Sequence, residues 1–232
     1  MLQIKKDKYI EFLEFITINR WKVPSQLSQD LFVLYFTEAK KNGFFLEIGA
    51  CDGFRLSNTL FLEKYGWNGI ISEPLILWHK KIQNRKCIIS KRAVYNKSGL
   101  KLMFENVEDF PELSGLKQNL EKDNNHFLRK KSVTTEVETI SLNELIEQNT
   151  SEKNIDYISI DTEGSEYEIL KNFNFNKFNV EIFTIEHNYI EKKRNDIFNL
   201  MHSNNYTRIF EDISQWDDWY IKKNNKVLLS II

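Results

Sequence analysis

Four short apolar segments of the chain each close on a carboxylate: Phe44-Phe-Leu-Glu47, Ile70-Ile-Ser-Glu73, Tyr157-Ile-Ser-Ile-Asp161 and Ile182-Phe-Thr-Ile-Glu186. Brief apolar runs of this kind suit strands buried on both faces of a helix-covered parallel sheet. In such an open sheet the C-terminal strand ends line one edge, and ligands bind there where the strand order reverses. The repeat predicts an α/β fold with a row of acids at its ligand edge.

The intervening segments agree with that reading. Phe44 to Ile48 reads as the first strand, Leu56 to Tyr65 as its helix with Gly66 as stop, and Gly69 to Ser72 as the second strand. Ile88 and Ile89 mark a third strand, Ile155 to Ile160 a fourth and Val180 to Ile185 a fifth, with helices from Ser165 to Asn172 and from Ile190 to Ser203. Tyr206 to Phe210 and Trp219 to Ile221 are expected to finish the sheet as an antiparallel pair. Ahead of it, Tyr9, Phe12, Leu13 and Ile16, then Phe32, Tyr35, Phe36 and Ala39, recur at helical spacing, the second helix closing at Asn42-Gly43. Residues 1–42 thus read as a helical extension and 43–232 as the main domain. Leu100 to Phe104 and the alternating Val133, Thr135, Val137 and Thr139 read as further strands, with Glu105 to Lys131 as a polar, irregular insertion over the ligand edge. Ser141 and Glu144 have capping-box spacing. The apolar ending from Val227 to Ile232 suits either closing the core or pairing in a homodimer.

Charge and cysteine content narrow the function classes. With 32 Lys and Arg against 33 Asp and Glu, the net charge of -1 provides no global field for nucleic acid or an anionic membrane. The basic clusters Lys80 to Arg92, Arg129 to Lys131 and Lys192 to Arg194 read as solvated faces. Cys51 and Cys87 are too few for a disulfide framework and are expected to be reduced. The N-terminus Met-Leu-Gln-Ile-Lys-Lys-Asp lacks a signal-peptide core, and no apolar stretch approaches membrane-spanning length, so a cytoplasmic protein is expected.

The turn after the first strand reads Glu47-x-Gly49-x-x-x-Gly53, unlike the Gly-x-Gly-x-x-Gly of nicotinamide and flavin domains. Gly49 permits close approach of backbone and ligand, and Gly53 lets the chain turn into its helix. Asp52 would repel a pyrophosphate but suits a ligand with a cationic amine, such as the methionine end of S-adenosylmethionine. Glu73, at the end of the second strand, is placed to accept hydrogen bonds from ribose hydroxyls. Asp161 and Glu163 sit in a tight turn after the fourth strand with Gly164, and Glu186-His187-Asn188 ends the fifth. Carboxylate, imidazole and amide groups converging there suit a divalent cation or a general base.

These residues carry a resemblance. Leu46-Glu-Ile-Gly-Ala-Cys-Asp-Gly53, Ser57-Asn-Thr59, Gly66-Trp-Asn-Gly69, Ser72-Glu-Pro74, Asp156 to Glu166 and Glu186-His-Asn188 resemble the FkbM family of S-adenosylmethionine-dependent methyltransferases, over roughly Ser25 to Lys222. The resemblance implies a class I methyltransferase (Rossmann-like) fold, a mostly parallel seven-stranded sheet with one antiparallel strand and helices on both faces. It also implies methyl transfer, usually to oxygen, with a hydroxyl of a sugar or carbohydrate-containing small molecule as the leading acceptor. By position, Glu47, Gly49, Ala50, Asp52, Gly53, Asn58, Glu73, Pro74 and Ala93 would hold the cofactor. Asp161, Glu163 and His187 would be catalytic, and Asp161, His187 and Asn188 a candidate set for magnesium or manganese. Because His is a less typical magnesium ligand than a carboxylate, a metal-free mechanism with His187 as base stands beside the metal-assisted one. Two rival readings of the same fold are a nicotinamide-dependent oxidoreductase and a non-catalytic nucleotide-binding or scaffolding domain.

Overall fold

The computed structural model describes residues 4–120 and 125–232; residues 1–3 of the expected extension and 121–124 of the expected insertion lie outside the described residues. Helices α1 (Lys6–Asn19) and α2 (Gln29–Phe36) precede strand β1 (Phe44–Ile48). Next come α3 (Leu60–Lys64), β2 (Asn68–Ser72), α4 (His79–Ile82), β3 (Ile88–Ser90), β4 (Ala93–Tyr95), β5 (Lys101–Val107), β6 (Gly115–Leu116) and β7 (Ser132–Ser141). The chain closes with α5 (Leu142–Asn149), β8 (Asn154–Ile160), α6 (Glu166–Leu170), β9 (Asn179–Glu186), α7 (Glu191–Ser203), β10 (Tyr206–Ile209), β11 (Asp217–Lys222) and α8 (Lys226–Ile231).

Seven strands form one sheet in the order β10-β11-β9-β8-β1-β2-β3. Every pairing is parallel except those of β11, which runs against both β9 and β10. This is the mostly parallel α/β sheet expected. Side chains alternate between its two faces as strand geometry requires. Leu46 and Ile48 of β1 join Ile158, Phe183, Leu145, Leu170 and Ile197 in one apolar layer, whereas Phe45 joins Tyr157, Ile182 and Trp219 in the other. Phe12 and Phe32 of the N-terminal helices belong to that second layer, Phe12 stacked on Phe210 at 4.2 Å and Phe32 on Trp219 at 4.5 Å between ring centroids. Leu228 and Ile231 of α8 bury in the same layer, so the apolar ending closes the core.

Four local expectations need correction. Helix α2 stops at Phe36, because Glu38, Ala39 and Asn42 take left-handed backbone angles. The helix after β1 starts at Leu60, not Leu56, since the backbone amide of Asn58 and the hydroxyls of Ser57 and Thr59 are bound to Glu47. Glu105 to Val107 extend β5, and among the described residues β4, β7, β5 and β6 form a second, four-stranded sheet that the alternating pattern did not reveal. The capping box is half made: Ser141 Oγ accepts from Glu144 N, but the Glu144 carboxylate accepts from Gln148 and the Ser141 amide donates to Ser98.

Candidate active site

The chain leaves β1 toward β2 and later returns to β8 on the other side of β1, so the strand order reverses between β1 and β8. A cavity of about 360 Å³ opens at that reversal, above the C-terminal strand ends. Gly49 forms part of its floor with φ +85°, and a Cβ added there would lie 1.6 Å from the Asp161 carbonyl oxygen. The glycine is therefore demanded by the neighbouring strand's own backbone, not by a ligand alone.

Glu47 touches the cavity, yet its carboxylate organises the wall behind it. It accepts from Asn58 N at 2.6 Å, Thr59 Oγ1 at 2.7 Å and Ser57 Oγ at 2.9 Å. Arg85, with a fully buried side chain, sits 3.6 Å from Glu47 and 3.1 Å from Glu63 and donates to Gly53 O, Ser57 Oγ and Thr59 Oγ1. The solvated reading of its basic cluster fails for this residue. It fails also for Arg129 and Lys193, buried against Glu163 and Glu166.

Asn58 projects onto the cavity wall. Its Nδ2 donates to Ser159 Oγ at 2.9 Å, while its buried Oδ1 has no partner within the protein and suits a ligand donor such as an ammonium. Asp52 does not line the cavity: its carboxylate holds Lys81 at 2.6 Å and accepts from the Phe54 and Arg55 amides. The charge expected to meet a cofactor amine is thus answered inside the turn. Gly53 likewise packs against Ile82 and Arg85, away from the cavity.

Glu73 lines the wall and receives Cys51 N on Oε2 and Leu75 N on Oε1, both at 2.8 Å. Each oxygen keeps a further lone pair, so the carboxylate can also accept from a diol. Burial pushes its pKa up to about 7. Ala50, Pro74, Ala93 and Val94 add apolar wall beside it, and Phe104 and Leu116 of the second sheet close over the cavity. These groups fit a nucleoside: a carboxylate for the ribose, apolar surface for the base and the Asn58 oxygen for an amine.

The remaining polar wall is acidic. Asp161, Glu163, Glu186 and Asn188 line it, and Glu163, in a left-handed turn, is held by Arg129 Nη2 at 2.5 Å. Asp161 and Glu186 stand close together, an oxygen of each within 4.8 Å of the other. Burial, followed by the Glu166 charge, pushes Asp161 up to about 7; burial and then Asp161 push Glu186 well above the usual carboxylate range. Burial opposes ionisation of Glu166 as well, but Lys193 and three backbone amides outweigh it and hold that carboxyl low.

His187 does not reach the cavity. Strand alternation turns Glu186 inward and His187 outward, where Nδ1 accepts from Tyr189 N at 3.0 Å and Nε2 lies 3.7 Å from Asp218 Oδ1. Burial lowers its pKa to about 4. The expected base is therefore a buried neutral imidazole, and the set Asp161, His187 and Asn188 does not converge on one ion. Instead Asp161, Glu163 and Glu186 each offer an oxygen, all within 4.8 Å of one another. Glu186 was legible as the acid closing its apolar segment, whereas Gln26, Tyr189 and Trp216, also on the wall, carry no comparable signal. Gln29 and Asp30 turn into the protein, bound to Asp217 and to Ser25. Both cysteines are free. Among the described residues no helix is long and apolar enough to cross a membrane.

A family model described as the methyltransferase FkbM domain matches residues 47–220, most of the chain. No curated protein matches. Solved structures similar to the chain include precorrin-6y C5,15-methyltransferase from Geobacter metallireducens GS-15, at 8% identity and TM-score 0.40 over 78% of this chain and 71% of that one. Another is M. capricolum TrmK in complex with its cofactor product S-adenosyl-homocysteine, at 19% identity and TM-score 0.37 over 83% of this chain and 68% of that one.

Proposed function

Because the chain belongs to the methyltransferase FkbM domain family, we propose that it moves the methyl group of S-adenosylmethionine to a hydroxyl on a sugar or carbohydrate-containing small molecule. The observation that carries this reading is one cavity at the strand reversal whose wall combines Glu73 and apolar surface with the acids Asp161, Glu163 and Glu186. The sulfonium brings an electrophilic methyl, so the chain must chiefly orient the partners and accept a proton. Asp161 is the group placed for that proton. Its pKa near 7 suits a base that works at neutral pH, and the closeness of Glu186 would let the two carboxyls share the proton once taken. Glu163, fixed by Arg129, orients the acceptor beside it. Trp216 and half-exposed Tyr189 add aromatic faces and polar edges to the wall, as an acceptor ring bearing both C–H surface and hydroxyls requires.

The test is transfer of labelled methyl from S-adenosylmethionine to a panel of sugars and glycosides, with cofactor binding followed by calorimetry. Asp161→Ala is expected to lower turnover about 100- to 10,000-fold while cofactor affinity stays nearly unchanged. Cofactor binding without transfer to any hydroxyl would favour a binding domain, and unchanged turnover in the variant would remove Asp161 from the mechanism.

A further inference from the structure

The acids around the cavity differ in what neutralises them. Glu166 is paired with Lys193 at 3.2 Å and Glu163 with Arg129 at 2.5 Å, but among the described residues neither Asp161 nor Glu186 has a Lys, Arg or His within ion-pair distance. These two carboxyls nevertheless stand together, and with Glu163 they present oxygens within 4.8 Å of one another. A second observation points the same way. Glu186 is only 5% exposed and lies on the cavity wall, yet its Oε2 has no hydrogen-bond partner. A buried carboxylate oxygen with no donor is costly unless something supplied from outside completes it.

We propose that Asp161, Glu163 and Glu186 bind one hard divalent cation of the magnesium or manganese class. The donor set is all oxygen, without thiolate or imidazole, which suits those ions over zinc or copper. The ligands are well placed to hold it: Glu186 ends β9, Asp161 directly follows β8, and Glu163 stands two residues on, its left-handed turn secured by Arg129. Three protein oxygens leave coordination positions for water and for acceptor oxygens. An ion there would take the place of the proton that Asp161 and Glu186 otherwise share, bind the acceptor directly and lower the pKa of a hydroxyl attached to it. With the ion bound, both acids are ligands and the hydroxyl's proton passes to solvent. The inference rests on the proposed methyl transfer only for that use of the ion; the ion's binding stands without it.

Manganese binding by the full chain, without cofactor, tests the site by electron paramagnetic resonance. One ion per chain is expected, displaced by magnesium, with affinity lowered at least about 10- to 100-fold in Glu186→Gln and in Asp161→Asn, as even outer-shell losses cost that much. Circular dichroism establishes that each variant is folded, and Glu112→Gln, a change on the same wall outside the cluster, is expected to bind manganese like the parent. Absence of manganese binding in the parent chain overturns the proposal, as does equal affinity in the parent and both cluster variants. Calorimetry with S-adenosylhomocysteine on the same preparation separates the two readings: cofactor binding by a chain that takes up no manganese sinks the ion and leaves methyl transfer standing.

Discussion

Beneath the turn after β1, Glu47, Asp52 and Glu63 are shielded from water, as are Glu186 and Asp217 at the ends of β9 and β11, with half-buried Asp161 beside them after β8. The first three are met by cations. Arg85 reaches Glu47 and Glu63, Lys81 reaches Asp52, and backbone amides and hydroxyls occupy further lone pairs. Of the second three, Asp217 accepts from the Gln29 amide, while Asp161 and Glu186 feel the charge of Lys193 only across its pairing with Glu166. Burial opposes the charge of Asp52 and Glu63, yet Lys81 and Arg85 prevail and hold both below the usual range. Burial wins at Asp161 and Asp217, which rise to about 7 and about 8. A buried acid whose partners are all in the chain serves the fold, and one left short of partners is completed by a proton or a ligand.

Removing the cation that answers the first group gives the largest expected effect on stability. Arg85→Met leaves Glu47 and Glu63 shielded without their guanidinium and is expected to cost about 3–5 kcal/mol in denaturant unfolding. A loss below about 1 kcal/mol would place those acids with the unanswered ones.

The pH dependence of stability distinguishes the groups by sign. Asp52 and Glu63, with folded pKa values lowered, contribute stability present above their unfolded pKa and lost as pH falls. Asp217, raised to about 8, acts oppositely: its share is present below its unfolded pKa near 3.9 and lost as pH rises toward 8. Asp217→Asn is therefore expected to flatten the fall in unfolding free energy between about pH 4 and pH 8, by up to about 1.4 kcal/mol per pH unit. An unchanged slope would mean that Asp217 titrates in the folded chain as it does unfolded.

The smallest effect is expected where the comparison is sharpest. Glu186→Gln removes an acid that faces another acid without a cation, so thermal and denaturant unfolding should show stability unchanged within about 1 kcal/mol, or raised. A loss as large as that of Arg85→Met would show Glu186 to be a structural partner.

The sheet was legible because its signals are local. Each strand end carries an apolar run and an acid within five residues, and β1 lies where Phe44 to Ile48 placed it. Glu73, Asp161 and Glu163 reached the cavity wall from those same signals, and Asn58 from the resemblance. The second sheet was not legible, because β5 and β7 pair across some thirty residues and alternation alone does not say which sheet a strand joins. Asp52 was assigned to the ligand since its partner, Lys81, lies 29 positions onward in an apparently solvated basic cluster.

The amino-acid sequence by itself determined the α/β layering, the acids along one sheet edge and the family, since apolar runs, turn glycines and strand-end acids act over a few residues. Tertiary structure alone decided which of those acids are answered. A step of one residue past a strand end reverses the direction of a side chain, so Glu186 faces the cavity and His187 faces Asp218. A charge's partner is likewise set by three-dimensional proximity and burial, and neither is written in the spacing of residues along the chain.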